Sequence, residues 1–115
     1  MKKNKISKNW INKQRRDIYF RQSKVEGYRS RAVYKLQEIN LKFKIFKNGM
    51  SVIDLGAAPG SWSQYASKNI KSGKIASIDL LDFEKIVNIH QIKGDFKNDL
   101  YKKKLWTSLA QKLML

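Results

Sequence analysis

The stretch DLGAAPGSW, Asp54–Trp62, places two glycines in a turn between an apolar run and a helical segment. Because Gly56 and Gly60 carry no Cβ, the backbone there can approach a ligand closely, and Pro59 stiffens the turn. The pattern differs from the dinucleotide fingerprint G-x-G-x-x-G, and it lacks the Lys and Ser/Thr of a P-loop. Proline also removes one N–H donor near the helix N-terminus, so phosphate binding is a poor fit.

Two acidic residues follow the turn at positions suited to a nucleoside. Asp79 lies 19 residues beyond Gly60, at the end of the next predicted strand, where a carboxylate accepts hydrogen bonds from a ribose diol. Asp95 ends the third predicted strand and can accept from an adenine amine, and Trp62 offers a flat apolar surface beside the pocket. Taken singly, each acid is better explained as a helix cap or a loop residue. Together with the glycine turn they indicate an adenosine ligand without phosphate, S-adenosylmethionine.

The elements that must position these residues follow the order strand, helix, strand, short helical turn, strand. Their predicted ranges are Met50–Leu55, Ser61–Ile70, Lys74–Leu80, Asp82–Val87 and Ile89–Ile92. This order is typical of the first half of a Rossmann-like α/β sheet, with the first strand inside and the third at the edge. Ligands bind such sheets beyond the carboxyl ends of the strands, where the turn and both acids fall.

Helices are predicted on both sides of this unit. We expect a disordered tail over residues 1–9, a helix over Trp10–Lys24, a break at Gly27, and a second helix over Tyr28–Asn40. Apolar residues lie on one side of the first helix (Trp10, Ile11, Ile18, Tyr19), and others recur every three or four positions in the second (Ala32, Val33, Leu36, Ile39). A last helix is predicted over Asn98–Leu115, with Leu105, Leu109 and Leu113 on one face.

The charge of the chain is strongly and unevenly basic. The 115 residues carry a net charge of +16, and 15 of the 25 Lys and Arg residues lie in residues 1–47 with three acids. The division predicts a polyanion-binding arm with its helices over 1–47, joined to a small-molecule domain over 48–115. A lysine-rich composition explains part of this excess, but not the arginines clustered in one segment: Arg15, Arg16, Arg21, Arg29 and Arg31.

Other classes of site and location are disfavoured by composition. The chain has no Cys and a single His, which excludes a disulfide framework and a Cys- or His-cluster metal site. No apolar run approaches the roughly 20 residues of a membrane span, and the basic N-terminus lacks the apolar stretch of a secretory signal. We therefore expect a cytoplasmic protein without a metal and without a membrane partner.

Four segments resemble one enzyme family. YRSRAVYKLQEIN, VIDLGAAPGSWSQYA, SIDLL and KGDF, in that order and at that spacing, are similar to the FtsJ/RlmE-type ribose 2′-O-methyltransferases of ribosomal RNA. The resemblance implies a Rossmann-like methyltransferase fold that binds S-adenosylmethionine through Gly60, Trp62, Asp79 and Asp95. It also implies a uridine 2′-hydroxyl of 23S rRNA, within the large ribosomal subunit, as the substrate.

The resemblance further implies that Lys35 is catalytic, as the first member of the family's Lys-Asp-Lys-Glu set. A nearby cation favours the oxyanion of a ribose hydroxyl, and an amine of lowered pKa can take its proton. Outside the motif, Lys35 would be a surface lysine of an amphipathic helix. Arg29 and Arg31 can neutralise RNA phosphates, while Tyr28 and Tyr34 either stack on bases or belong to the core.

The chain departs from the family after KGDF. No sequence follows that matches the family's fourth strand, its S-D-M-A-P-N loop, or the other three catalytic residues, and Asp95 matches the adenine-side acid instead. We therefore expect a C-terminally truncated member with only the N-terminal half of the sheet, an unpaired first strand and a tendency to aggregate. Such a chain is either a methyltransferase by descent, monomeric if complete, or a non-catalytic rRNA-binding module that retains the cofactor pocket. A small ribosomal-protein-like chain would explain the charge but not the glycine turn.

Overall fold

The computed structural model describes residues 2–113, with side chains described at residues 7–104, 106 and 107. The elements follow the chain in the order α1 (Lys2–Glu26), α2 (Val33–Phe43), β1 (Ser51–Leu55), α3 (Ser61–Asn69), β2 (Lys74–Asp79), β3 (Ile89–Lys93) and α4 (Asp99–Leu113). The three predicted strands and the helix between the first two are therefore confirmed, with no end shifted by more than one residue.

The strands form a parallel sheet in the order β1-β2-β3. Ile53 of β1 pairs with Ala76 of β2, which pairs in turn with His90 of β3. The central strand β2 is buried along Ile75–Ile78, as expected of a parallel strand covered on both faces. This arrangement is the partial Rossmann-like α/β fold that the order of elements predicts, with all three carboxyl ends at one edge.

Residues from the basic segment 1–47 and from the segment 48–115 pack together in one core. Val33, Tyr34 and Leu36 of α2 pack with Tyr65 of α3, and Phe46 extends this cluster toward the sheet. Ring contacts add to it, because Tyr28 and Tyr34 meet edge to face with ring centroids 6.3 Å apart. Of the two possibilities for these tyrosines, the core is therefore confirmed, since Tyr34 is buried and Tyr28 packs against it.

The N-terminal helix extends away from this core. α1 begins at Lys2, so the predicted disordered tail over residues 1–9 is wrong for the part of it that the structure describes. Residues 7–22 are all exposed, including the apolar side that the sequence indicates. The helix is held near its C-terminal end, where Tyr19 stacks on Tyr34 at 5.2 Å, Ser23 is buried, and Tyr28 N donates to Ser23 O.

Two further expectations are corrected. The second helix begins at Val33 rather than Tyr28, because the carbonyl of Gly27, which would accept the first bond of such a helix, accepts a bond from the side chain of Gln64 instead. The helical turn expected over residues 82–87 is absent, because carbonyls of this connection accept bonds from the side chains of Arg29 and Gln91. The apolar face expected at Leu105, Leu109 and Leu113 lies outside the described side chains.

The free side of β1 is exposed. Within residues 2–113 this strand pairs only with β2, and Ile53 and Leu55 retain 39% and 54% of their accessible surface. Phe96 and Trp106 line a hollow beside these two residues, but Trp106 itself is exposed. The aggregation expected at the free side of β1 stays a prediction.

Candidate functional site

The glycine turn between β1 and α3 is fastened to the end of β2. The backbone N–H groups of Gly56 and Ala57 both donate to Ile78 O, at 2.9 and 3.1 Å. Gly56 has a positive φ of 69°, and no atom lies within 4 Å of the position that a Cβ would take. Gly56 therefore combines the conformation that favours glycine with an open surface that a ligand can approach.

Asp79 organises the same edge through both oxygens of its carboxylate. Oδ2 accepts the backbone N–H of Ala58 at 2.9 Å, and Oδ1 accepts that of Leu81 at 2.8 Å. One carboxylate thus connects the glycine turn to the segment after β2. Each oxygen keeps a second lone pair, so the group can still accept hydrogen bonds from a ligand hydroxyl.

Gly60 performs a different task from Gly56. It has a φ of 113° and precedes the first residue of α3. A Cβ here would lie 2.8 Å from Ile86 Cδ1, 3.1 Å from Arg29 Nη1 and 3.3 Å from Phe83 Cδ2. The space over Gly60 is therefore filled by protein, and glycine is required for the connection between β2 and β3 to pack on the turn.

Arg29 and Arg31 differ in their surroundings although only one residue separates them. The guanidinium of Arg29 donates to Pro59 O at 3.0 Å, to Lys85 O at 3.2 Å and to Glu84 O. Arg31 is exposed, and no hydrogen bond of its side chain is found within the described residues. The role of phosphate contact predicted for both stays a prediction, and the free guanidinium of Arg31 fits it better.

Trp62 connects α3 to the segment before α2. Its indole Nε1 donates to Ala32 O at 2.8 Å, while its ring remains partly exposed between two hollows. Asp95 lies two residues beyond β3, and its Oδ1 accepts the N–H of Lys97 at 2.9 Å. Asp95 thus stabilises its own turn, a role that leaves its other oxygen without a hydrogen bond within the described residues.

Asp54 belongs to a polar network that the sequence reasoning missed. Ser63 Oγ donates to Asp54 Oδ2 at 2.6 Å and lies 2.6 Å from Ser77 Oγ, so Ser77 must donate to Ser63. Burial raises the pKa of Asp54, the Ser63 hydrogen bond opposes this, and the charge of Asp79 adds to it. The only signal in the sequence was the position of Asp54 near the end of a strand.

Lys35 lies on the exposed side of α2, between the buried residues Tyr34 and Leu36. Its backbone N–H donates to Ala32 O, the carbonyl that also accepts from Trp62. The first turn of α2 and the side chain of Trp62 are thereby joined at one atom. The catalytic role of Lys35 remains a prediction.

Two adjoining hollows open at the carboxyl edge of the sheet and share Ala58 and Pro59. The larger has a volume of about 540 Å³ and is lined by Arg29 and by residues 81–84 of the connection after β2. The smaller, of about 280 Å³, is lined by residues 54–59, Ser30, Ala32 and Trp62. Of these two hollows, only the larger has a volume within the range of small-molecule pockets, about 300–1,000 Å³.

The comparisons with known proteins agree with this geometry. The family model described as FtsJ-like methyltransferase matches residues 28–114, about three quarters of the chain. The chain belongs to the FtsJ-like methyltransferase family. The matched region includes α2, the glycine turn, Asp79 at the end of β2 and Asp95 after β3.

Curated relatives carry the name ribosomal RNA large subunit methyltransferase E. The protein of that name from Pelagibacter ubique is 72% identical over 96 residues, which cover 84% of this chain and 47% of the relative. That from Legionella pneumophila strain Corby is 44% identical over 115 residues, covering 99% of this chain and 56% of the relative. The chain thus spans about half the length of the curated relatives it matches.

A solved structure gives the same result for the fold. A crystal structure of a ribosomal RNA methyltransferase from Plasmodium falciparum matches with a TM-score of 0.57 and 36% sequence identity. The match covers 67% of this chain and 48% of that protein.

Among the described residues there is no group of three or more His, Cys, Asp or Glu that could hold a metal, and no helix long and apolar enough to cross a membrane.

Proposed function

We propose that this chain carries the cofactor pocket of an enzyme that transfers a methyl group from S-adenosylmethionine to a uridine 2′-hydroxyl. The substrate is 23S rRNA within the large ribosomal subunit. The observation that carries the proposal is the hollow of about 540 Å³ lined by Ala58 and Leu81, both bonded to Asp79, in a chain whose relatives are named ribosomal RNA large subunit methyltransferase E.

The chemistry of the residues around this hollow suits S-adenosylmethionine. Asp79 is bonded to Ala58 and Leu81, which both line the hollow, and it retains acceptor capacity for the two hydroxyls of a ribose. Apolar side chains of Leu81 and Phe83 supply the surface that an adenine ring prefers. When bound, the cofactor supplies an electrophilic methyl group on a positively charged sulfur.

The remaining cofactor residues act from the two sides of the turn. Gly60 and Trp62 hold the N-terminal end of α3, and we assign Trp62 to the smaller hollow, where its ring is partly exposed. Asp95 follows the third strand and has one oxygen available for an adenine amine. Gly56 allows the closest approach of the backbone, because the space over its Cα is open.

Lys35 acts on the nucleophile in this proposal. A ribose 2′-hydroxyl is a weak acid, and an ammonium nearby stabilises its oxyanion, while a neutral amine can accept its proton. Lys35 is exposed and therefore accessible to a large RNA substrate. Its helix begins at the carbonyl that also holds Trp62, which keeps the lysine and the smaller hollow in a fixed relation.

RNA binding is assigned to α1 and to Arg31. α1 carries Lys and Arg along most of its length, with exposed aromatic residues such as Trp10 and Phe20 between them. Lys and Arg neutralise phosphates, and exposed aromatic rings can stack on unpaired bases. The affinity for rRNA should consequently fall steeply as the salt concentration rises.

Two measurements test the proposal. Isothermal titration calorimetry of the chain with S-adenosylhomocysteine should show saturable binding, and absence of any binding would overturn the cofactor assignment. Transfer of a tritiated methyl group to large ribosomal subunits should then fall at least about 100-fold in Lys35→Ala. Lys42→Ala, an exposed lysine on the same helix, is the matched control and should keep its activity.

The two outcomes separate the candidate functions. Cofactor binding without transfer would indicate the non-catalytic rRNA-binding module instead of the enzyme. Transfer that is equal in Lys35→Ala and Lys42→Ala would remove Lys35 from its role and leave the rest of the proposal standing.

A further inference from the structure

Arg29 occupies the junction between the basic arm and the glycine turn. It lies in the short segment between α1 and α2 and is only half-exposed. Its backbone N–H donates to Gln64 Oε1 at 2.9 Å, and Gln64 Nε2 donates back to Gly27 O at 3.2 Å. These two bonds fix the backbone of the segment against α3, so the start of the Arg29 side chain is held in place.

The guanidinium extends from this fixed point across the top of the larger hollow. Nη1 donates to Pro59 O at 3.0 Å and also to Glu84 O, and Nη2 donates to Lys85 O at 3.2 Å. Pro59 belongs to the glycine turn, whereas Glu84 and Lys85 belong to the connection between β2 and β3. A single side chain therefore joins the two walls of the hollow.

Other contacts also hold this connection: Asp79 accepts the N–H of Leu81, Gln91 Oε1 accepts the N–H of Ile86 at 2.6 Å, and Asp82 forms an exposed ion pair with Lys93. Within the described residues it contains neither helix nor strand, and the other side chain that bonds its carbonyls is Gln91 of β3. Ile86 and Phe83 pack on Gly60, beside Arg29 Nη1. Arg29 therefore holds Glu84 and Lys85 to the glycine turn through the planar, multiply donating group that only arginine provides.

These contacts leave Arg29 poorly suited to a phosphate. Three of its five N–H donors are directed at carbonyl oxygens of the protein, and a bidentate phosphate contact would compete with them. Arg31, exposed and two residues away, is subject to no such competition.

We infer that Arg29 is a positioning residue of the cofactor pocket, joining the glycine turn to the connection after β2, and is not a contact to RNA. The inference rests on the proposed function, because it takes the larger hollow as the place of the adenosyl group. Arg29 acts through the carbonyls it holds, while the cofactor contacts the walls that those carbonyls belong to.

The first test compares cofactor affinity, measured by calorimetry with S-adenosylhomocysteine, in the full chain and its variants. Arg29→Ala should weaken binding about tenfold or more, the equivalent of one lost charge-assisted hydrogen bond. Arg29→Lys should weaken it nearly as much, because it keeps the charge but donates from a single atom. Arg31→Ala should bind the cofactor as the unmodified chain does.

The second test measures RNA binding in the same proteins, with a fluorescein-labelled oligouridylate over a range of salt concentrations. Each phosphate contact that is lost reduces the slope of log affinity against log salt by about 0.7 for a single strand. We expect this reduction in Arg31→Ala and an unchanged slope in both Arg29 variants. A reduced slope in the Arg29 variants together with an unchanged slope in Arg31→Ala would overturn the inference.

Chemical rescue distinguishes positioning from a general loss of structure. Millimolar guanidinium should restore part of the cofactor affinity of Arg29→Ala and none of that of Arg29→Lys, whose side chain occupies the site. If Arg29→Ala does not fold, Arg29→Lys decides the matter through its affinity and its salt slope. An unmodified chain that binds no cofactor would refute the proposed function, whereas normal affinity in Arg29→Lys would refute the inference alone.

Discussion

Replacing Asp79 offers the most direct test of how the candidate site is built. The carboxylate accepts two backbone N–H groups, from Ala58 at 2.9 Å and from Leu81 at 2.8 Å. A hydrogen bond to a charged group contributes about 1.5–3 kcal/mol when buried. Asp79 is half-buried, so we assign each bond about 1 kcal/mol and expect Asp79→Ala to lower the free energy of unfolding by about 2 kcal/mol.

Asp79→Asn should lose only part of this stability, because the amide can keep one of the two hydrogen bonds. Its amide oxygen can replace one carboxylate oxygen as acceptor, whereas its NH₂ group faces the second backbone donor. We therefore expect a loss of about 1 kcal/mol or slightly more. Urea unfolding followed by circular dichroism gives both values from the same samples.

Asp82→Ala is the matched control for this experiment. Asp82 lies three residues further along, and its exposed ion pair with Lys93, at 3.4 Å, should contribute less than about 1 kcal/mol. If Asp79→Ala unfolds with the same free energy as Asp82→Ala, the two backbone bonds do not support the turn, and the reasoning fails. If only S-adenosylhomocysteine affinity is lost, Asp79 is a ligand contact without a structural role.

Predictions for four further variants concern other parts of the molecule. Tyr34→Phe should be neutral or raise the free energy of unfolding by up to about 1 kcal/mol, because the buried hydroxyl of Tyr34 has no hydrogen-bond partner within the described residues. Burial and the nearby charge of Glu26 raise the pKa of this hydroxyl to about 12. Tyr65→Phe should lower it by about 1 kcal/mol, because its hydroxyl accepts a bond from an amide, and equal values for the two variants in urea unfolding would contradict both statements. Burial raises the pKa of Asp54 above its ordinary 3.8, so the native state holds that proton more tightly than the unfolded state does. This contribution to stability is present below about pH 4 and is lost as the pH rises through the raised pKa. Asp54→Asn should therefore lose less stability than the unmodified chain as the pH rises above about 4, and parallel curves in urea unfolding would exclude the effect. Leu55→Lys should reduce self-association measured by light scattering, because it places a charge on the exposed edge of β1, and unchanged scattering would remove that edge as the cause.

The sheet and its carboxyl edge were predictable because local signals agreed there. The apolar runs ending at Leu55 and Asp79, with glycines after the first, indicate parallel strands and a binding turn without any knowledge of contacts. The structure then brings Asp79 to the turn through a bond to Ala58, an interaction between residues 21 positions apart that no local pattern contains.

Errors arose where tertiary contacts override local propensity. Residues 28–32 belong to a stretch with helical periodicity, but Gln64 binds the N–H of Arg29 and Trp62 binds the carbonyl of Ala32. Arg29 has the appearance of a phosphate ligand, since it lies in a basic segment beside Arg31. Its carbonyl partners lie 30 to 56 residues further along the chain, so only a folded structure could reveal them.

The attachment of α1 near one end has a geometric consequence. Between Lys2 and Ile18 the helix extends about 25 Å before its first aromatic contact with the core at Tyr19. In the proposed function, binding of the RNA by α1 and transfer of the methyl group would therefore be divided between distant parts of one small chain. If that proposal holds, shortening the helix from its N-terminus by whole turns should weaken binding to the ribosomal particle and leave cofactor binding unchanged.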